Sequence, residues 1–201
     1  MLLRELKSIE KTGSGYVLHG DAADVLLIFM TDDVIRVRVS FRRDFKEESY
    51  TLVTTAWEDR MDELLKDERT RIKSLDIPCE EKNGKLVFTT GTCILEIRKT
   101  PFFLTLKTLD GAVVYQDLKE RAFEKDYLGR LAHYSKMDPV NDHFYGFGEK
   151  TGCLDKKGRR LRMSPKDAIG HDPEFGDPMY KHIPFYIRIN EKTAYAIGLF
   201  Y

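Results

Sequence analysis

Between Leu86 and Tyr115 the chain is cut into runs too short and too regularly interrupted for helices. Leu86–Thr90, Cys93–Ile97, Phe102–Lys107 and Val113–Tyr115 follow one another, broken by Gly91-Thr92, Thr100-Pro101 and Asp110-Gly111. Asn83-Gly84 and Asp110-Gly111 are dipeptides that two-residue hairpin turns take, because such turns hold their central residues at positive φ. Farther upstream, Ile35–Val39 alternates apolar with basic residues, which predicts a half-buried strand with Arg36 and Arg38 on its wet face. Hairpin-linked strands with one wet face predict antiparallel sheets, since a sheet buried on both faces reads as continuous apolar runs. The fold class is therefore all-β, an antiparallel β-sandwich, with residues 1–201 read as one domain.

Two segments depart from this pattern. Trp57, Met61, Leu64 and Leu65 stand at i, i+4, i+7 and i+8 among charged residues. That is one apolar stripe of a short helix, although without a strong cap it reads equally as a charged loop. From about Asp138 to Ile183 runs a long irregular excursion, punctuated by Gly146, Gly148, Gly152, Gly158, Gly170 and Gly176 and by Pro139, Pro165, Pro173 and Pro178. Such residues turn the chain often and hold each turn, and a long loop in a compact domain is usually functional or covered by a partner surface. It also carries His143, Phe144, Tyr145, Phe147, Arg159, Arg160, Arg162, Asp167, His171 and Asp172. Aromatic faces and planar polar groups suit sugars, and a carboxylate can accept from two neighbouring hydroxyls. Taken singly, each of these residues has a structural use: rings that seal the loop, arginines that bridge carboxylates.

Composition removes several classes. Lys plus Arg equals Asp plus Glu at 33 each, without the basic excess of a nucleic-acid binder. No apolar run reaches the length of a membrane span or of a signal-peptide core. Cys79, Cys93 and Cys153 are odd in number and far apart, which argues against a disulfide framework or zinc site and for a cytoplasmic protein with reduced thiols. His143, His171 and His182 lack the ligand spacing of a metal centre, and a Cys153–His143 nucleophilic pair has no orienting residue. Gly146-Phe-Gly148 fits no nucleotide-binding motif. No metal or cofactor is expected. For the basic cluster Lys156, Lys157, Arg159, Arg160 and Arg162, internal ion pairing or an acidic partner rim is expected.

Four linked motifs go further: Tyr145-Gly-Phe-Gly-Glu-Lys-Thr-Gly152, Lys157-Gly-Arg-Arg-Leu-Arg-Met163, Asp167-Ala-Ile-Gly-His-Asp-Pro173 and Asp177-Pro-Met-Tyr-Lys-His-Ile-Pro-Phe-Tyr186. Their order and spacing resemble the end of the N-terminal β-sandwich of glycoside hydrolase family 31, its bacterial α-glucosidases above all. Upstream of residue 144 the likeness is one of style only. The resemblance implies a galactose-mutarotase-like sandwich packed on a catalytic (β/α)8 barrel. It implies a retaining hydrolase of terminal α-linked sugars, with nucleophile and acid/base on the barrel. It also implies that Asp167 hydrogen-bonds the sugar beside the scissile bond. Ser164 and Pro165 depart from the Trp-Asn pair of many relatives, which bears on the sugar accepted.

The two catalytic carboxylates of such an enzyme, about 5–5.5 Å apart, are not identified in this chain. Trp57-Glu-Asp-Arg-Met-Asp-Glu63 loosely resembles the family's nucleophile motif, but Arg60 breaks the spacing and the segment lies upstream of Gly148-Glu-Lys150 rather than downstream. Its acids are expected on the solvated face of the short helix. The chain is thus expected to be a non-catalytic piece of a longer α-glycosidase, inactive alone. Its partners would be an α-linked oligosaccharide or glucoside and its own barrel, with neither nucleic acid nor membrane. A homo-oligomer stays open. The rival is an autonomous carbohydrate-binding or protein-docking module.

Overall fold

Four strands open the chain: β1 (Leu6–Lys11), β2 (Tyr16–Gly20), β3 (Asp24–Phe29) and β4 (Ile35–Ser40), each antiparallel to the next. They belong to a computed structural model that describes residues 1–45, 49–66 and 69–201. After a short parallel pair, β5 (Thr54–Thr55) and β6 (Thr70–Arg71), with helix α1 (Arg60–Leu65) between them, comes a second antiparallel sheet. It comprises β7 (Cys79–Lys82), β8 (Lys85–Thr89), β9 (Cys93–Arg98), β10 (Phe103–Thr108) and β11 (Val113–Gln116). The hairpin β12 (Phe123–Lys125) and β13 (Leu131–His133) completes the first of two compact units, Met1–Lys136. The second, Met137–Tyr201, is the antiparallel sheet β14 (Asp142–Gly148), β15 (His182–Asn190) and β16 (Tyr195–Phe200).

The first unit is built as an antiparallel sandwich, the expected fold class. Leu18, Val25, Leu27 and Phe29 from one sheet and Leu86, Phe88, Leu95, Ile97 and Leu104 from the other form one buried cluster. The outer face of the second sheet is wet, where Glu96 on β9 takes Lys85 of β8 at 2.7 Å and Lys107 of β10 at 2.6 Å. Asn83 and Gly84 both hold positive φ, +52° and +70°, as the β7–β8 turn requires. A buried carboxylate ties the end of β11 to its surroundings: Asp117 accepts from the Leu104 amide (2.9 Å) and the Tyr115 hydroxyl (2.8 Å), and lies 2.8 Å from His133 Nε2.

Three expectations are corrected. Arg36 and Arg38 are half-buried and do not stand free in water. Trp57 lies 3.6 Å under the Arg36 guanidinium, and Arg38 donates to the Phe45 carbonyl at 2.8 Å. Burial, and then the neighbouring Arg38 charge, lower Arg36 to about 10. The helix forms, but its apolar stripe is not what holds it, since no residue of α1 is buried and Leu64 is exposed. It is held by a capping box: Asp59 accepts from the Met61 amide, and Asp62 accepts from the Asp59 amide. Asp59 is therefore no solvated acid. Its side chain is 0% exposed and pairs at 2.7 Å with an Arg69 side chain 2% exposed. Burial alone would raise the Asp59 carboxyl, but the Met61 and Ser49 amides, Arg69 and the Trp57 indole together hold it below the usual range.

Candidate functional site

The excursion begins later than the sequence pattern indicated, because its first residues are strand β14. His143, Phe144, Tyr145 and Gly146 pair with Ile189, Arg188, Ile187 and Tyr186 of β15. Register slips between Gly146 and Gly148, where Gly146, Phe147 and Gly148 all hold positive φ (+120°, +70° and +79°). A Cβ on Gly146 would sit 2.8 Å from the Phe185 carbonyl oxygen, and one on Gly148 2.7 Å from the Ile183 nitrogen. The glycines serve a close bulge, not a ligand loop. Phe147 stacks on Tyr186 at 4.7 Å, Tyr186 stacks on Tyr201 at 6.2 Å, and Phe144 tilts against Tyr186 at 5.9 Å. These rings seal the loop base onto the sheet.

Beyond the bulge, residues 149–181 contain neither helix nor strand and are held by side chains. Glu149 and Lys181 close the base: the Glu149 amide donates to the Lys181 carbonyl (3.0 Å), and the Lys181 amide donates to the Glu149 carboxylate (3.2 Å). Lys150, with its side chain 1% exposed, pairs with Asp177 at 2.8 Å and donates to the Arg162 carbonyl at 2.6 Å. Asp177 also accepts from the Arg162 amide at 2.5 Å. Buried Lys156 donates to the carbonyls of Thr151 (2.9 Å) and Cys153 (2.5 Å).

Among the described residues, no carboxylate pairs with the basic cluster. Lys157 reaches the Val140 carbonyl (3.0 Å), and Arg159 the Glu174 carbonyl (3.1 Å). Carbonyl acceptors made by the loop's own turns use the charges that the sequence pattern assigned to carboxylates.

Two buried or half-buried carboxylates anchor the unit. Asp142, wholly buried, accepts from Arg188 (2.6 Å), Asn190 (2.8 Å) and the Asp138 amide (2.6 Å). Asp155 accepts from the Phe144 and Lys157 amides (3.0 Å each), and its carboxylate lies 2.7 Å from His143 Nδ1. Burial alone would raise Asp155, but the two amides and then His143 hold it at about 2, against an ordinary 3.8. A depressed carboxyl contributes stability above its unfolded value and loses it as pH falls. Acid unfolding of the wild type is therefore expected to steepen from about pH 4 down to about pH 2. Asp155→Asn should flatten that window in a pH series of denaturant midpoints; an unchanged slope would show that the carboxylate is not what anchors residues 155–157.

His143 thus faces Asp155, and its Nε2 lies 3.3 Å from Glu191, so it does not form the weighed pair with Cys153. His171 stands on the loop and His182 opens β15. Among the described residues, no group of three or more His, Cys, Asp or Glu is placed to hold a metal ion.

Asp167 is exposed, on a stretch without helix or strand that is fixed at its flanks. The Lys166 amide donates to the Met179 carbonyl (3.3 Å), and Ala168 and Met179 are buried. The neighbouring Asp167 carboxylate, as the largest cause, raises the Tyr180 phenol above its ordinary range. Tyr180, Lys150, Asp177 and Asp142 were missed in the sequence. Asp177 and Tyr180 at least lie in one motif with the matched Pro178-Met179, whereas nothing local marks Lys150 as the partner of a residue 27 positions away.

Three comparisons with known proteins bear on the family and the fold. Residues 24–201 match the family model described as the glycosyl hydrolase 31 N-terminal galactose mutarotase-like domain. Alpha-glucosidase 2 of Bacillus thermoamyloliquefaciens is 27% identical over 184 residues, covering 90% of this chain but 21% of that protein. Among solved structures, a dextranase of Flavobacterium johnsoniae complexed with isomaltotriose superposes with a TM-score of 0.77 at 19% identity, covering 94% of this chain and 21% of that one. An alpha-xylosidase from a soil metagenome gives 0.65 at 12% identity, covering 90% and 26%. At these identities the solved structures carry the fold alone, and this chain spans about a fifth of the alpha-glucosidase's length.

Proposed function

We propose, for a chain that belongs to the family of glycosyl hydrolase 31 N-terminal galactose mutarotase-like domains, that it is the non-catalytic N-terminal part of a retaining α-glucosidase. In that role it supports a catalytic barrel of the same polypeptide and lends it a substrate-contacting loop. The substrate is a terminal α-linked glucoside or oligosaccharide, and the compartment is the cytoplasm. One observation carries the contribution to substrate: Asp167 is an exposed carboxylate on a stretch whose flanks are pinned by Ala168, Met179 and the Lys166–Met179 hydrogen bond. A carboxylate so placed can accept from two adjacent sugar hydroxyls, while the two carboxyls that break the bond come from the barrel.

The sheet of the second unit supports the need for a partner. Ile183, Phe185, Ile187 and Ile189 alternate along one face of β15, with Phe200 opposite Phe185, and all are exposed. An apolar face of this kind fits burial against further polypeptide.

In the full-length polypeptide, Asp167→Ala should raise KM for an aryl α-glucoside by about tenfold or more, as removal of a charged hydrogen-bond acceptor does, with a smaller change in kcat. An unaltered KM in a folded variant would sink the assignment. Residues 1–201 alone should give no turnover above a denatured control.

A further inference from the structure

We infer that Lys150 is a positioning residue for substrate binding: its ammonium clamps the neck of the loop that carries Asp167 and so fixes where that carboxylate stands. This rests on the assignment of Asp167 as the sugar contact and adds to it the group that holds its loop shut.

Asp167 lies on the stretch between Arg162 and Asp177, and those two residues, 15 positions apart, meet at its neck, where the Arg162 amide donates to the Asp177 carboxylate at 2.5 Å. Lys150 Nζ spans both sides of that neck, donating to the Arg162 carbonyl at 2.6 Å and to Asp177 Oδ1 at 2.8 Å. Its neighbours in the chain reinforce the closure. The Thr151 hydroxyl donates to the Gly176 carbonyl at 2.5 Å, and the Gly152 amide to the Pro173 carbonyl at 3.0 Å. Farther along, the Lys166 amide donates to the Met179 carbonyl at 3.3 Å. Residues 162–166 thus run against 177–179 in a seam fixed at Arg162–Asp177 and at Lys166–Met179, and Asp167 follows directly on it.

The Lys150 side chain is 1% exposed and that of Asp177 12%, so the pair is shielded from water, where a charge-assisted bond is stronger than a neutral one. Burial alone would raise the Asp177 carboxyl, but Lys150 and then the Arg162 amide hold it below its usual range, which keeps it an acceptor. With neither helix nor strand in residues 149–181, no backbone ladder takes over if the clamp is lost. An exposed aspartate on an unclamped loop would sample many positions and lose that freedom on binding, at a cost to affinity. Lys150 is itself too buried to meet a sugar, so its effect on binding passes through the loop.

The test is a double-mutant cycle in the full-length polypeptide, with Lys150→Met, Asp167→Ala and the pair, assayed on an aryl α-glucoside. Thermal midpoints serve as the check on folding. Lys150→Met should raise KM about fivefold while kcat per folded molecule stays within about twofold. In the Asp167→Ala background, where no carboxylate is left to place, the same change should move KM by less than about 1.5-fold. Asp177→Asn keeps an acceptor for the Arg162 amide and removes the charge that Lys150 meets. It should raise KM at least about twofold, and it decides the matter if Lys150→Met does not fold. A lysine that serves only the fold would lower the active fraction and leave KM unchanged, or would cost the same factor in both backgrounds; either result overturns the inference. An unchanged KM in Lys150→Met and Asp177→Asn alongside a raised KM in Asp167→Ala leaves Asp167 as the contact and removes the clamp from its service. If Asp167→Ala itself leaves KM unchanged, the sugar contact falls, and the role of Lys150 falls with it.

Discussion

Phe88→Ala is expected to cost the first unit about 4 kcal/mol of stability. Phe88 projects from β8, wholly buried, between two rings of the facing sheet: Tyr16 meets it edge-on at 5.1 Å, and Phe29 lies tilted at 5.3 Å. It is the point where the two sheets of the sandwich interlock through aromatic area. An alanine there loses the transfer energy of the ring and opens a cavity between strands whose ladders resist collapse. Tyr16 cannot swing in to fill it without giving up its 2.8 Å hydrogen bond to the Ile77 carbonyl. Domains of this size hold about 5–15 kcal/mol in all, so the variant should keep at most a modest margin. A denaturant titration reads it directly. Phe88→Leu, which refills most of the volume, should lose much less. A loss under about 1 kcal/mol for alanine would mean that the site repacks and that Phe88 is not a keystone of the sheet contact.

Phe88 was readable in advance as a strand residue, because Leu86–Thr90 is a short run close to a turn dipeptide that demands positive φ. The same signal marked β9, β10 and β11. What escaped was whatever depended on a distant partner. Arg36 and Arg38 were assigned to water by a correct alternation. That alternation cannot reveal that Trp57 and the Phe45 carbonyl roof the same face. Asp59 looked solvated because it sits in a charged run, yet Arg69 and three backbone or indole donors take it out of solvent.

In the second unit the motifs gave the family, and Asp167 as a candidate only, since they are local strings. They could not give the Lys150–Asp177 pair or the carbonyl cluster around Lys156, which exist only once the loop has folded back on itself. The glycines illustrate the difference. Their clustering marked a chain that turns often, but not where: Gly146 and Gly148 answer to the Phe185 carbonyl and the Ile183 amide across a bulge.

Asp142→Ala should be the most damaging single change in the second unit, at about 3–5 kcal/mol, the range for removing one partner of a buried ion pair. Asp142 opens β14, and its two oxygens gather Arg188 and Asn190 from the far end of β15 and the amide of Asp138 from the preceding turn. Alanine deprives three donors of one buried acceptor, and the end of the β14–β15 ladder opens. Asp142→Asn, which keeps the shape and one acceptor oxygen but not the charge, should lose less. Burial alone would raise the Asp142 carboxyl, but the bonds from Asn190, the Asp138 amide and Arg188 outweigh it and lower it. Its contribution is therefore present above the unfolded value of 3.8 and lost as pH falls below it. The penalty of Asp142→Ala should accordingly be full at neutral pH and shrink as pH falls below 3.8, where the unfolded chain takes up a proton that the folded carboxyl resists. Paired denaturant titrations at neutral pH and near pH 3 check this, and an equal penalty at both would show that the ionised carboxylate is not the source. In the full-length polypeptide Asp167 depends on this sheet only through the fold. Asp142→Ala should therefore lower the folded, active fraction while leaving KM of the surviving molecules unchanged, the reverse of the pattern expected for Asp167→Ala.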